Sequence, residues 1–241
     1  MTDTNLPSQA LMAGRRQWLF VFLAGLFFTN AITAELISNK LIEIPLSFDL
    51  FGLSFGPFVT IIGILPWPVV FLITDLMNEF YGKKAVQRVS WIGAALIAYS
   101  FFIVLIALQV PAKEIPNSGL STNEQFNAVF GQAPWIIAGS IAAFLLSQLL
   151  DASLFQWIKQ KTGNRWVALR STGSTVVSQC IDSYVVLFIG FVLPGKMGMS
   201  DYLTIAPTNY VLKLFIAIAL TPLVYLGHAA VRRYLRESKM A

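Results

Sequence analysis

The chain has 241 residues, of which 56% are apolar and only 12% charged, with a formal net charge of +5. A soluble domain usually carries about 25% charged residues, and too few polar side chains are present here to cover the outside of one. The single cysteine, Cys180, excludes an internal disulfide, and no Cys/His cluster suggests a metal site.

Apolar runs near 20 residues can cross about 30 Å of hydrocarbon, and six follow one another along the chain. Residues 1–17 are polar and form an N-terminal tail, and the run after them is too long for the apolar region of a cleavable signal peptide. The first span covers about 18–36 and carries Glu35 near its outer end. The second, about 58–76, is interrupted by Pro66 and Pro68, which either kink it or open a cavity. Near its inner end Asp75 and Glu79 are four apart and share a face, and Tyr81-Gly82 followed by Lys83 and Lys84 reads as a helix C-cap. The third span covers about 90–108. Residues 109–134 are rich in polar residues, Pro and Gly and read as an exposed loop, with a short amphipathic helix near 124–130.

The fourth span, about 135–154, holds Gln148 and Asp151 in S-Q-L-L-D, and the fifth, about 174–193, holds Gln179 and Asp182 in S-Q-C-I-D. The sixth, about 203–225, carries Asn209 and Lys213, with His228 at its inner end. The expected architecture is an all-α integral membrane protein. One six-helix domain, 18–228, stands between cytoplasmic tails at 1–17 and 229–241.

Orientation follows from the basic residues. Arg15 and Arg16, then Lys83, Lys84 and Arg88, then Lys159, Lys161, Arg165 and Arg170, and finally Arg232, Arg233, Arg236 and Lys239 fall on one side, thirteen in all. Only Lys40, Lys113 and Lys196 fall on the other, while Lys213 lies inside the sixth span. This bias assigns the thirteen, and both chain ends, to the cytoplasm.

An ionisable residue at the centre of a spanning helix costs at least ~2.5 kcal/mol and so faces a partner or a polar cavity. Gln and Asp three apart share a helix face, and together offer an amide donor and acceptor beside a carboxylate. Two such faces, turned inward, suit the edge of a flat, donor-rich heterocycle. The alternative is that they bond helix to helix. Trp67, Trp91 and Trp135 are candidates either for stacking on such a ring or for anchoring at the membrane interface.

The run Asp75, Glu79, Tyr81, Gly82, Lys83, Lys84, Ala85 and Arg88 resembles the signature of the queuosine precursor transporters, a family of six-helix inner-membrane proteins. The likeness continues through Phe126 to Gly131, the S-Q-L-L-D segment, and Arg170-Ser171 with Ser174-Thr175. It then takes in Ser178-Gln179 with Asp182, Lys213, and Thr221-Pro222 with Tyr225. Where that family often has Asn in the first span, this chain has Glu35.

The resemblance implies uptake of 7-cyano-7-deazaguanine and/or 7-aminomethyl-7-deazaguanine for tRNA modification. It also implies a likeness to the six-helix substrate-binding subunits of vitamin transporters. Glu35, Gln148, Asp151, Gln179, Asp182, Asn209 and Lys213 are then the expected substrate-binding residues, and Asp75, Glu79 and Arg170 the expected gating or coupling residues. The expected partners are a nucleobase-like small molecule and membrane lipid, with a homodimer allowed; no cofactor, nucleic acid or enzymatic activity is expected. Two alternatives are a binding subunit of a larger ATP-driven importer and a carrier for another purine-like base.

Overall fold

A computed structural model describes residues 6–38, 40–50, 53–113, 119, 121–163 and 166–236. Among these residues, six helices are long and apolar enough to cross a membrane. They are carried by α1 (Leu6–Ile37), α2 (Trp67–Tyr81), α3 (Lys83–Gln109), α5 (Pro134–Thr162), α6 (Val167–Leu187) and α7 (Met199–Ala219). The short α4 (Asn123–Phe130) precedes α5, and α8 (Thr221–Arg236) continues α7 after a break at Leu220. The fold is an all-α integral membrane bundle.

The outer surface is apolar, as a helix facing lipid tails requires. Trp18, Phe22, Trp91, Phe102 and Trp135 are all exposed, so Trp91 and Trp135 belong to the surface rather than to an interior site. The interior packs around Phe27, Val70, Met77, Val86, Ile97 and Phe144. The most extensive helix pairing joins α5 and α6, and it depends on a small residue. A Cβ at Gly139 would stand 2.9 Å from the Gly190 nitrogen and 3.1 Å from the Val186 oxygen. Gly190 belongs to a π-helical turn, Phe188–Val192, that ends α6. Only a bare glycine lets the two backbones approach this closely.

The two prolines of the second span do not kink it. Pro66 is the N-cap of α2 and Pro68 lies in its first turn, where a missing N–H costs no hydrogen bond. Gly82, at φ 82°, ends α2 by donating to the carbonyls of Met77 and Asn78, as the C-cap reading expected. The helix near 124–130 also forms, opened by a capping box between Thr122 and Gln125.

Between the first and second spans the chain forms a ribbon that the apolar-run reading missed. Strand β1 (Leu41–Ile44) pairs antiparallel with β4 (Phe58–Ile61), and β2 (Phe48–Leu50) with β3 (Leu53–Phe55). Residues 58–61, expected in the second span, are therefore strand. Phe58 is buried against Ile64 and Leu212, which seats the ribbon's base on the bundle.

At the opposite end, Arg16 donates to the Phe80 carbonyl, Tyr81 to the Arg16 carbonyl, and Arg15 lies over the Tyr234 ring. The start of α1, the end of α2 and the end of α8 thus share one face. Helix α1 already begins at Leu6, so much of the expected tail is helical.

Candidate functional site

Helix α6 organises the polar interior. Arg170, Ser171, Ser174, Thr175, Ser178, Gln179 and Ser183 are all buried, and their spacing repeats with the helical turn, making one polar stripe. From Arg170 to Asp182 the stripe runs for roughly 18 Å of the bilayer. Carboxylates from three helices meet it at successive levels.

At the level nearest the ribbon, Asp182 pairs with Lys213 of α7, Nζ to Oδ2 2.5 Å, and Ser147 donates to its Oδ1 at 3.4 Å. The pair lines a pocket with Gln179, Trp67, Phe71, Ile64 and Ile216. Trp67 and Phe71 stack at 5.9 Å and 27°, one helical turn apart, so the polar edge faces an aromatic wall. The cavity measures about 10 Å³, room for about one water, so in this conformation the site is closed. Glu35 lies near enough to interact electrostatically with Asp182 and Lys213. Its carboxylate accepts a hydrogen bond from Ser140.

One level further along, Asp151 Oδ1 accepts from Ser174, Thr175 and Ser178 at 2.9, 3.2 and 3.2 Å. Asp75 accepts from Ser171 through Oδ2, while its buried Oδ1 has no partner. At the last level Glu79 meets Arg170 at 2.8 Å, Lys159 at 2.9 Å and Arg232 at 3.8 Å. Lys159 approaches Glu79 Oε2 without a hydrogen bond to it, and donates instead to the Glu79 carbonyl at 3.1 Å.

Gln179, Asp182 and Lys213 come together in one pocket, with Glu35 close by. Asp151 belongs instead to the hydroxyl cage below them. Gln148 is buried with its Oε1 unpartnered, and Asn209 is half-buried on α7, one turn from Lys213 and outside the pocket lining. Arg170, read as part of a loop, is fully buried in the first turn of α6, and its guanidinium also donates to the Gly163 carbonyl at 3.0 Å. Among the described residues the basic partners of Glu79 are Lys159, Arg170 and Arg232, and Asp75 and Asp151 take hydroxyls. Arg165, one of the basic residues that set the expected orientation, lies outside the described residues.

Trp67, one of the stacking candidates in the sequence, lines the pocket, whereas Phe71 and the hydroxyls of Ser140, Ser147 and Ser171 were not anticipated as site residues. The signal for Ser147 and Ser171 was present, since each adjoins a polar residue already singled out.

A bundle with an apolar outside and a layered polar seam within is that of a multi-pass membrane protein with an internal polar site. The family described as "Putative vitamin uptake transporter" matches residues 61–227, and the chain belongs to it. A Bacillus subtilis (strain 168) protein, "Probable queuosine precursor transporter", is 28% identical over 187 residues, or 76% of each chain. An Escherichia coli (strain K12) protein, "Queuosine precursor transporter", is 28% identical over 202 residues, 82% of this chain and 81% of its own. A Haemophilus influenzae relative is 27% identical over 76% of each chain. No solved structure matches significantly.

Proposed function

We propose that the protein is an inner-membrane transporter, not an enzyme, that imports queuosine precursors of the 7-deazaguanine type. The relatives' names support the substrate class, and one observation in this chain carries the reading. The Asp182–Lys213 pair and Gln179 face the stacked Trp67 and Phe71 across one pocket. A deazaguanine is flat, with an N–H and an exocyclic amine side by side on one edge and a carbonyl next to them. Asp182 accepts from the two donors, while Lys213 or Gln179 donates to the carbonyl. Trp67 and Phe71 cover the ring face.

The side chains of Asp182 and Lys213 keep 16% and 21% of their exposure, so an incoming donor pair can compete for Asp182. Admitting a base requires the aromatic wall to move, because the closed pocket holds about one water. Glu35, Gln148 and Asn209, which do not line the closed pocket, are the further polar contacts we propose for the opened state.

The test is binding and uptake of labelled 7-cyano- and 7-aminomethyl-7-deazaguanine by the purified protein, with adenine and guanine as controls. The deazaguanines should bind at least tenfold more tightly. Equal binding of all four, or none, sinks the substrate assignment. Uptake by the protein alone in liposomes also separates a self-sufficient carrier from the binding subunit of an ATP-driven complex.

A further inference from the structure

Below Phe71 lies a second small cavity, on the same seam as the first. Phe71, Leu72 and Val224 line it together with Asp75, Ser171 and Thr175. Phe71 lines both cavities, and Asp75 sits one turn along α2 from it.

The two carboxylates at this level differ in how their charge is met. Three hydroxyls donate to Asp151 and offset part of the cost of burying its charge. Asp75 has the Ser171 hydroxyl alone, and its other oxygen is buried without a partner. No ion pair among the described residues includes Asp75. Its charged surroundings are Asp151 from α5, Glu79 on its own helix and Arg170 from α6. Arg170 pairs with Glu79 and donates to the Gly163 carbonyl, and its buried Nε has no hydrogen-bond partner. Lys159, Arg232 and His228 lie around Glu79. The facing residues Ala217, Leu220 and Val224 are apolar.

Two like charges side by side, one of them nearly without donors, are costly in a buried place. A proton on the free oxygen of Asp75 removes the charge and the repulsion, and the cavity that Asp75 lines has room for about one water to accept from the O–H. A divalent metal ion is a poorer occupant, because Asp75 is the only carboxylate in the lining and the rest is three hydroxyls and apolar side chains.

Resting on the transport reading above, we infer that Asp75 binds a proton that crosses the membrane together with the substrate. The proton adds to the Asp75 carboxylate from the outer side and leaves to the cytoplasm. Ionised Asp75 repels Asp151 across the α2–α5 seam, and protonated Asp75 does not. Because α2 also carries Phe71, the wall of the substrate pocket, the two sites bias one helix and so affect each other reciprocally.

The experiment uses the purified full chain in liposomes, with labelled 7-deazaguanine and the membrane potential clamped. Wild-type protein should show counterflow without any gradient. One unit of inward pH gradient should drive accumulation up to about tenfold, abolished by a protonophore. Asp75→Asn should keep counterflow and lose accumulation. Accumulation that persists in Asp75→Asn, or that follows a sodium gradient at equal pH, overturns the proton site. Absence of counterflow in the wild type sinks the transport reading instead. Infrared spectra give an arm that needs no substrate and no variant. Folded wild-type protein should show a protonated-carboxyl stretch, and its absence at every pH also overturns the proposal.

Discussion

Lys213 Nζ lies 2.5 Å from Asp182 Oδ2, although the two residues sit on different helices. Each is costly alone in hydrocarbon, and each is neutralised by the other. The pair thereby fixes α6 against α7 at the level where Trp67 and Phe71 face the seam. Charge pairing and site formation are one arrangement.

Asp182→Asn should therefore act in two ways. It replaces an acceptor with an amide that turns a donor toward the substrate's donors, and affinity should fall about tenfold or more, since an unmet buried donor costs ~1–3 kcal/mol. It also strips Lys213 of its partner, so thermal stability should fall. Adding Lys213→Met should restore stability but not binding. Gln179→Ala should cost less than either. Normal binding by folded Asp182→Asn protein, measured by equilibrium binding of labelled base, rules out the assignment.

Gln148 offers the opposite case, because its buried Oε1 has no partner to lose. Gln148→Leu exchanges an unsatisfied group for an apolar one of similar size, a change that is nearly neutral or stabilising. The melting temperature in detergent should hold or rise. If Gln148 meets the base in the opened pocket, affinity should drop roughly fivefold or more, at ~1 kcal/mol for one hydrogen bond. Unchanged binding would remove Gln148 from the site.

The polar residues of the spans were legible because carboxylates and amides stand out in an apolar run, and their levels followed from helical rise. Their partners were not. Gln148-Asp151 and Gln179-Asp182 share one spacing, yet Asp182 meets a lysine and Asp151 meets hydroxyls, because local spacing does not say which helix faces which. Arg170 read as loop because it follows Lys159, Lys161 and Arg165 in a short polar connection, while its burial depends on Glu79 from a distant helix. The ribbon was hidden by its strands, each only three or four residues long, and by an apolar stretch that runs without a break from β4 into α2.

The close backbone approach of α5 to the end of α6 also makes a prediction. A Cβ at Gly139 would meet Gly190 nitrogen at 2.9 Å, with backbone on both sides and no flexible side chain to yield. Gly139→Ala should destabilise the protein by ~1–3 kcal/mol, and Gly139→Leu by more. Thermal unfolding in detergent measures it. A melting temperature unchanged in both variants contradicts this α5–α6 contact.

Membrane orientation rests on charge alone. The contacts of Arg16 with Phe80 and Tyr81 put one set of helix ends together, and the basic excess assigns that face to the cytoplasm. A reporter fused after Ala241, or inserted at Lys161, should be cytoplasmic, and one near Asn117, outside the described residues, external. An external C-terminus would overturn the orientation.

Glu79 tests whether the charge cluster it forms with Arg170 and Lys159 moves. Its side chain is 7% exposed and that of Arg170 is 0%, so the pair is buried rather than a surface ornament. Removing one partner of a buried pair typically costs ~3–5 kcal/mol, and Glu79→Gln should lower the melting temperature clearly. The added question is whether the cluster also opens during transport. Arg170 on α6 and Lys159 on α5 both reach Glu79 on α2, so any separation of α2 from α5 and α6 at this end must break these contacts. If the cluster is an inner gate, folded Glu79→Gln protein should bind substrate almost normally while uptake falls severalfold. If it is only a fixed brace, binding and uptake should fall together, in step with the folded fraction. Both are measured on one purified sample, with the folded fraction taken from size-exclusion chromatography. Equal losses in the two remove the gate and leave Glu79 a structural role.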